Sequence, residues 1–243
     1  MKLYNDDCYK ILSELPNNSI DLVYTDPPYN IKVDPEDSTG TCNTLMGLAR
    51  TLAPINTLHC DEYDLTRFCE ECVRILKKIN IYVWCNKSQI VDYFNIFVNK
   101  YNCKYTLLVW NKTNALPTYY NKYLDDLEFC LYFYEPGVYC SPKSYEDAKK
   151  LYVSGINREN KIYTHPTIKP LSFVKSMISN STKEGYVVLD PFMGTGTTGV
   201  ACKQLARDIE FIGVEKEPNY FEIASARIYE TQLPRDKAKK VLW

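Results

Sequence analysis

An α/β architecture, with a mostly parallel sheet and helices on both faces, is what the 243-residue sequence predicts. Three observations carry it. Strand-like and helix-like segments alternate along the chain, as a parallel sheet with crossover helices requires. A glycine-rich turn, Gly194-Thr195-Gly196-Thr197-Thr198-Gly199, joins a strand to a helix. A second turn, Asp26-Pro27-Pro28-Tyr29, follows directly on a short apolar run, at the edge where open α/β sheets carry their sites.

Taken in order, Leu22–Thr25 reads as a buried strand leading into the Pro-Pro loop. Leu65–Lys78 is helical, with Phe68, Cys72, Ile75 and Leu76 near one face and basic residues at its end. Ile79–Cys85 is a strand, Gln89–Lys100 a helix and Tyr105–Trp110 a strand. Glu128–Tyr134 is an aromatic-rich strand stopped by Pro136-Gly137. Leu171–Asn180 forms a helix after Lys169-Pro170. Tyr186–Asp190 is a strand, Thr197–Leu205 a helix, Glu210–Glu215 a strand, and Asn219–Glu230 the last helix, entered after Pro218. Residues 31–61 and 137–166 lack a clear period. The first reads as a loop or insert following the Pro-Pro turn.

Composition fits one globular domain spanning 1–243, with 45% hydrophobic and 24% charged residues. No apolar run is long enough to cross a bilayer and the N-terminus lacks the apolar stretch of a signal peptide, so a cytoplasmic protein is expected. The net charge of −1 is unevenly spread: residues 1–70 carry −7, which leaves +6 for the rest. Lys143, Lys149, Lys150, Arg158, Lys161 and Lys169 contribute, as do Arg235, Lys237, Lys239 and Lys240 in the tail. Such stripes can neutralise phosphates in a protein that is neutral overall, and they serve equally as a solvated surface. The ten cysteines are scattered. Cys69 and Cys72 are close enough to suggest a metal site with His59, Cys60 or Cys85. Their i, i+3 spacing on one helix face, without a second such pair, favours plain packing and no metal.

Gly194, Gly196 and Gly199 allow a tight turn and close approach of a ligand to the free amides of a helix N-terminus. Alone they suit a dinucleotide as well as any other nucleotide-like cofactor. The flanks are more selective. Glu215 closes the next strand, where a carboxylate can accept hydrogen bonds from ribose hydroxyls. Asp190 closes the strand before the loop. Beside a pyrophosphate it would be repelled; beside the ammonium of S-adenosylmethionine it would be attracted. A purely capping role for Asp190 is the plainer account.

In the Asp-Pro-Pro-Tyr loop, two prolines fix φ and remove two donors, which leaves carbonyl oxygens rigidly aimed. The Asp26 carboxylate and the Pro27 carbonyl can accept both N–H groups of an exocyclic base amine. That holds its lone pair toward an electrophile without a strong general base. Tyr29 can stack on a base that has left the duplex. An ordinary Asp-Pro-Pro turn is the plainer alternative.

Together these segments resemble the permuted, β-class DNA amino-methyltransferases, in which the Asp-Pro-Pro-Tyr motif precedes the cofactor loop. The likeness spans most of the chain. Asn5–Leu12 is similar to the family's opening segment, and Asp7 matches the acidic residue that contacts the cofactor adenine. Asn18–Leu22 matches the approach to the catalytic loop. His165-Pro166-Thr167-Ile168-Lys169-Pro170 is similar to the segment whose Lys-Pro lines the cofactor pocket. The resemblance implies a Rossmann-like, S-adenosylmethionine-dependent methyltransferase fold. Its sheet has seven strands, one of them antiparallel and matched here by Glu128–Tyr134. It implies catalytic Asp26, Pro27, Pro28 and Tyr29. The cofactor set is Asp7, Lys169, Asp190, Phe192, Gly194, Gly196, Thr197, Thr198 and Glu215, with no metal. Asp as the first motif residue goes mostly with adenine and Ser with cytosine, so N6-adenine methylation of double-stranded DNA is expected, with N4-cytosine as the alternative.

The chain departs from the pattern in one respect. Many members carry a long recognition insert, whereas the candidate target-recognition region here is short, about 137–164, shared at most with 31–61. A short recognition region leaves room for a homodimer or a partner subunit. A non-catalytic DNA-binding partner with the same fold is the alternative from another class. Intact Asp26, Tyr29, Gly194, Gly196 and Glu215 speak against it. Tyr119, Tyr120, Lys143 and Lys150 are candidate DNA contacts or simply exposed.

Overall fold

The computed structural model describes residues 1–28, 63–115, 123–156, 168–205 and 207–232. The elements in chain order are β1 (Lys2–Tyr4), α1 (Cys8–Glu14), β2 (Leu22–Thr25), α2 (Leu65–Ile75), β3 (Asn80–Cys85), and α3 (Ile90–Phe94), which runs on into a π-helical turn over Asn95–Lys100. Then come β4 (Lys104–Lys112), β5 (Leu127–Tyr134), β6 (Leu151–Ser154), α4 (Leu171–Ser181), β7 (Tyr186–Asp190), α5 (Thr197–Gln204), β8 (Ile209–Val214) and α6 (Pro218–Glu230).

All eight strands form one sheet in the order β1-β8-β7-β2-β3-β5-β4-β6. Every pairing is parallel except the two made by β5, so β5 is the single reversed strand, as expected for Glu128–Tyr134. The expected seven strands become eight. The addition is β6, paired with β4 at the sheet edge from Val109↔Leu151 to Lys112↔Ser154. It lies within the stretch 137–166, whose sequence shows no clear period. Leu151-Tyr152-Val153-Ser154 has no polar alternation and only four residues, so nothing in its sequence separates it from a loop. β1 and α1 were also not legible: three residues are too few to show a period.

Side chains of each strand alternate between two cores, as a pleated strand with both faces covered demands. Leu22, Tyr24, Tyr82, Trp84, Val188 and Phe211 pack with Phe173, Val174, Met177, Val200, Ala224 and Ile228 of α4, α5 and α6. Val23, Ile81, Val83, Leu189 and Ile212 pack on the other face with Leu12, Phe68, Cys69, Cys72, Ile75, Tyr93 and Phe97 from α1, α2 and the α3 segment. Cys69 and Cys72 are fully buried free thiols in that second core, and burial pushes both thiols up. His59 and Cys60 lie outside the described residues.

Two helix ends differ from the sequence expectation. The helix expected over Leu65–Lys78 stops at Ile75, because Leu76 bridges to Ile20 and the Lys77 N–H donates to the Ile20 carbonyl at 2.9 Å. The helix expected over Gln89–Lys100 widens after Phe94, where the Tyr101 N–H reaches back to the Ile96 carbonyl at 3.1 Å. No helix among the described residues is long and apolar enough to cross a membrane.

Phe133 tests the second core. It is fully buried, stacked on Phe97 at 4.8 Å between ring centroids and edge-on to Phe94 at 5.5 Å. Phe133→Ala should lower the unfolding free energy by about 3–5 kcal/mol in urea titration. A change well below 1 kcal/mol would contradict this packing.

Candidate active site

Because β1, β8, β7, β2 and β3 are parallel, their C-terminal ends lie along one edge of the sheet. The reversal of β5 brings its N-terminal end to that same edge. The register makes this concrete: Cys85, the last residue of β3, pairs with Phe129, and Trp110 near the end of β4 pairs with Glu128. The edge therefore gathers Asp7, Asp26, Lys112, Glu128, Asp190 and Glu215, six ionisable residues from six different strands or the turns after them.

On one half of the edge stands the glycine loop. Gly194 and Gly196 have positive φ, at 51° and 81°. Gly196 lies at the start of α5 in the left-handed region that a side chain rarely adopts. Gly199 is needed for packing: a Cβ there would strike the Ile228 side chain and come within 2.8 Å of Phe211 Cε1. The Glu215 carboxylate accepts from the Gly194 N–H at 2.9 Å through Oε2 and from the Glu217 N–H at 2.9 Å through Oε1. It is thus locked in place while keeping lone pairs for further donors. Burial raises its pKa above the ordinary carboxylate value. Asn5 ties β1 to this turn by donating to the Glu215 and Lys216 carbonyls at 2.8 and 3.1 Å. Asp7 then caps α1, accepting from the Tyr9 N–H at 2.9 Å, with Lys216 Nζ 3.9 Å from its carboxylate.

Asp190 is buried, and its Oδ2 accepts from the Thr198 hydroxyl at 2.5 Å while Oδ1 accepts from the Phe192 N–H at 3.2 Å. Burial pushes its carboxyl up to about 7, against the pull of those hydrogen bonds. It therefore does cap the turn, and a cation beside it would restore its charge. Thr198 acts through Asp190. The Thr197 hydroxyl faces Arg227, whose Nη1 also donates to the Thr195 carbonyl at 2.7 Å. The Phe192 ring packs edge-on to Tyr63 at 5.7 Å and against Phe68 at 5.6 Å.

On the other half stands the Pro-Pro loop. Asp26 follows β2 directly. Its Oδ2 is 2.5 Å from Lys169 Nζ. Gln89 Nε2 donates to the Pro28 carbonyl at 3.3 Å and steadies the far side of the turn. Lys169 is only 5% exposed; besides Asp26 it meets Glu128 Oε2 at 3.1 Å and stands 4.9 Å over the Trp84 ring. Glu128 in turn is 3.1 Å from Lys112 Nζ. Burial disfavours the Glu128 carboxylate, but Lys169 and Lys112 outweigh it and hold its pKa below the ordinary value.

The structure thus joins Lys169, expected along the cofactor pocket, to Asp26 through its ammonium. Glu128, Lys112 and Trp84 were not singled out in the sequence. The available signal was one acidic residue opening an otherwise apolar, aromatic strand. Tyr29, Tyr119, Tyr120, Arg158, Lys161, His165-Pro166-Thr167, segment 31–61 and the basic tail lie outside the described residues. Lys143 and Lys150 are exposed.

A three-layer α/β sheet with a glycine loop after β7, an acidic residue after β8 and an Asp-Pro-Pro turn after β2 defines a Rossmann-like methyltransferase architecture. The family model for N6/N4-type DNA methylases matches residues 20–226. The chain is 32% identical to type II methyltransferase M.HinfI of Haemophilus influenzae, over 92% of this chain and 67% of that protein. It is 26% identical to type II methyltransferase M2.LlaDCHI of Lactococcus lactis subsp. cremoris, over 93% and 88%. Among solved structures, the M1.HpyAVI–SAM complex superposes with a TM-score of 0.65 at 25% identity, over 93% of this chain and 98% of that one. The PvuII DNA methyltransferase, cytosine-N4-specific, shares the fold with a TM-score of 0.71 at 15% identity, over 98% and 90%. This chain belongs to the N6/N4 DNA methylase family.

Two predictions follow from the geometry of the glycine loop. Gly199→Ala should cost about 1–3 kcal/mol of stability through overpacking against Phe211 and Ile228, read as a lowered melting temperature; an unchanged melting temperature would contradict the close approach. Asp190 is protonated in the folded chain up to about pH 7 but ionises near 4 when unfolded. Its contribution to stability is therefore fully present below pH 4 and is lost as pH rises to 7. The stability of the wild type relative to Asp190→Asn should fall across that window. Parallel stability–pH curves for the two proteins would rule this out.

Proposed function

We propose that the chain transfers a methyl group from S-adenosylmethionine to the N6 amine of an adenine flipped out of double-stranded DNA. The single observation that carries this reading is the Asp26 carboxylate at the C-terminal end of β2, on the same sheet edge as the glycine loop and the Glu215 and Asp190 carboxylates. It brings an acceptor for amine protons and a nucleotide-like cofactor site onto one line.

The residues present suit that cofactor. Asp190, whose ionisation burial disfavours, matches the ammonium of its methionine part. Glu215 matches the ribose hydroxyls, and Asp7, beside it at the end of β1, matches the adenine amine. Gly194 and Gly196 let the backbone come close, Phe192 offers an apolar wall, and Thr197 and Thr198 shape the start of α5. When bound, S-adenosylmethionine supplies a methyl group on a sulfonium, whose carbon–sulfur bond breaks as the amine lone pair forms the new carbon–nitrogen bond, leaving S-adenosylhomocysteine.

Asp26 and the Pro27 carbonyl accept the two amine N–H groups and so aim the lone pair. After transfer the nitrogen carries a positive charge, and one of its protons passes to the Asp26 carboxylate. Pro27 and Pro28 keep the turn rigid, and Tyr29 supplies a stacking face for the flipped base. Positioning supplies much of the acceleration, since the electrophile is already reactive. The Asp form of the motif is what favours adenine over cytosine. Lys143, Lys149 and Lys150 offer phosphate contacts on the described surface, and a second copy or a partner subunit would extend a short recognition region.

The test has two arms. Asp26→Ala should abolish methyl transfer to plasmid DNA, while calorimetric titration still shows S-adenosylmethionine binding. Transfer at the normal rate would remove Asp26 from the chemistry, and absence of cofactor binding by the wild type would favour a non-catalytic partner subunit. Nucleoside mass spectrometry of DNA methylated by the wild type should yield N6-methyladenine. Recovery of methylcytosine alone would overturn the adenine assignment.

A further inference from the structure

We propose that Glu128 is a positioning residue of the acceptor site, which frees Asp26 for the target amine by sharing the Lys169 ammonium. The proposal rests on the reading of Asp26 as the acceptor of the amine protons. Four charges stand in a row, Lys112, Glu128, Lys169 and Asp26, with gaps of 3.1, 3.1 and 2.5 Å. The row ends at the Pro-Pro turn and draws on four separate elements, β4, β5, the segment before α4 and the turn after β2.

The row answers a conflict that the pair Lys169–Asp26 alone would create. A carboxylate bound at 2.5 Å to an ammonium has one oxygen engaged and its basicity reduced, yet Asp26 must accept an amine N–H and then a proton. If it simply let go, a buried ammonium would be left without a counter-charge, which is strongly unfavourable. Glu128 removes that obstacle. It is already within 3.1 Å of Lys169 Nζ, and Lys112 on its far side keeps it ionised, so Lys169 can shift its bond to Glu128 as Asp26 turns to the base. The Trp84 ring under Lys169 gives the cation a third favourable contact during the exchange. Among the described residues, the titratable groups that also face Asp26 or Lys169 include Tyr24 of β2, Cys85 of β3, Cys130 of β5 and Asp190 of β7. Burial pushes the phenol and both thiols up, so they stay neutral over the working range. Asp190 titrates near 7 in the free chain and has to be held constant by saturating cofactor.

The experiment measures single-turnover methyl transfer to plasmid DNA from pH 5 to 9 at saturating S-adenosylmethionine. Glu128→Gln removes a carboxylate partner of Lys169 and so strengthens its hold on Asp26, and the acid limb of the rate profile should move to lower pH. The plateau rate should fall on the order of tenfold to a hundredfold. Glu128→Asp, which keeps the charge, should restore most of the plateau. Lys169→Met, which removes the cation itself, should move the acid limb the opposite way. A merely structural role would not give displacements of opposite sign. Acid limbs that all move together, or do not move, in variants that still bind the cofactor by calorimetry would overturn the proposal. So would an unchanged plateau in Glu128→Gln. If Glu128→Gln fails to fold, Lys112→Gln, which withdraws the cation that keeps Glu128 ionised, should lower the plateau rate in the same way, and an unchanged plateau there would overturn the proposal. A wild-type chain that binds S-adenosylmethionine but methylates no DNA would instead refute the proposed function.

Discussion

The ion pair between Lys169 and Asp26 is the contact around which the Pro-Pro half of the site is organised. A buried ammonium must have carboxylate partners, and those partners must arrive from different parts of the chain. Asp26 comes from the end of β2 and Glu128 from the start of β5. The two meet only because β5 runs against its neighbours: were it parallel, its first residues would lie at the opposite edge of the sheet. The reversed strand is thus a condition for the site as well as a feature of the topology.

The glycine-loop half obeys the same logic with weaker forces. Neutral and charge-assisted hydrogen bonds to Glu215 and Asp190 fix the loop that the glycines make possible. Asp190 is held at the cost of its ionisation, which raises its pKa to about 7. That cost is the kind that functional sites carry, since it is offset when a ligand of opposite charge arrives. The two halves are joined through the sheet itself, by the β2–β7 pairing of Leu22↔Val188 and Val23↔Leu189, so their spacing is set by rigid elements and not by loops.

Much of the fold was legible because its strands are short apolar runs between strong punctuation. Tyr186–Asp190 matched to the residue, since Gly185 and the Pro191 turn bracket it. Glu128–Tyr134 was recognised through its aromatics, and the reversed direction came from family resemblance. The helix over Leu65–Ile75 was overextended because its apolar face continues into Leu76, whose backbone pairs with Ile20 instead. β6 escaped because an edge strand is defined by the hydrogen bonds it makes to a neighbour, and four residues carry no period of their own.

The sequence by itself determined the motif chemistry: an Asp-Pro-Pro-Tyr turn, a glycine loop, and acidic residues closing the strands on either side. Local spacing suffices for these, because each is a turn at the end of a strand and its backbone geometry is set by neighbouring residues. Tertiary structure alone decided which charges face one another. Lys169 lies 143 positions from Asp26 in the chain and Glu128 lies 41 from Lys169, so no periodicity could have joined them. Long-range ion pairing depends on strand order and direction, which only the assembled sheet specifies.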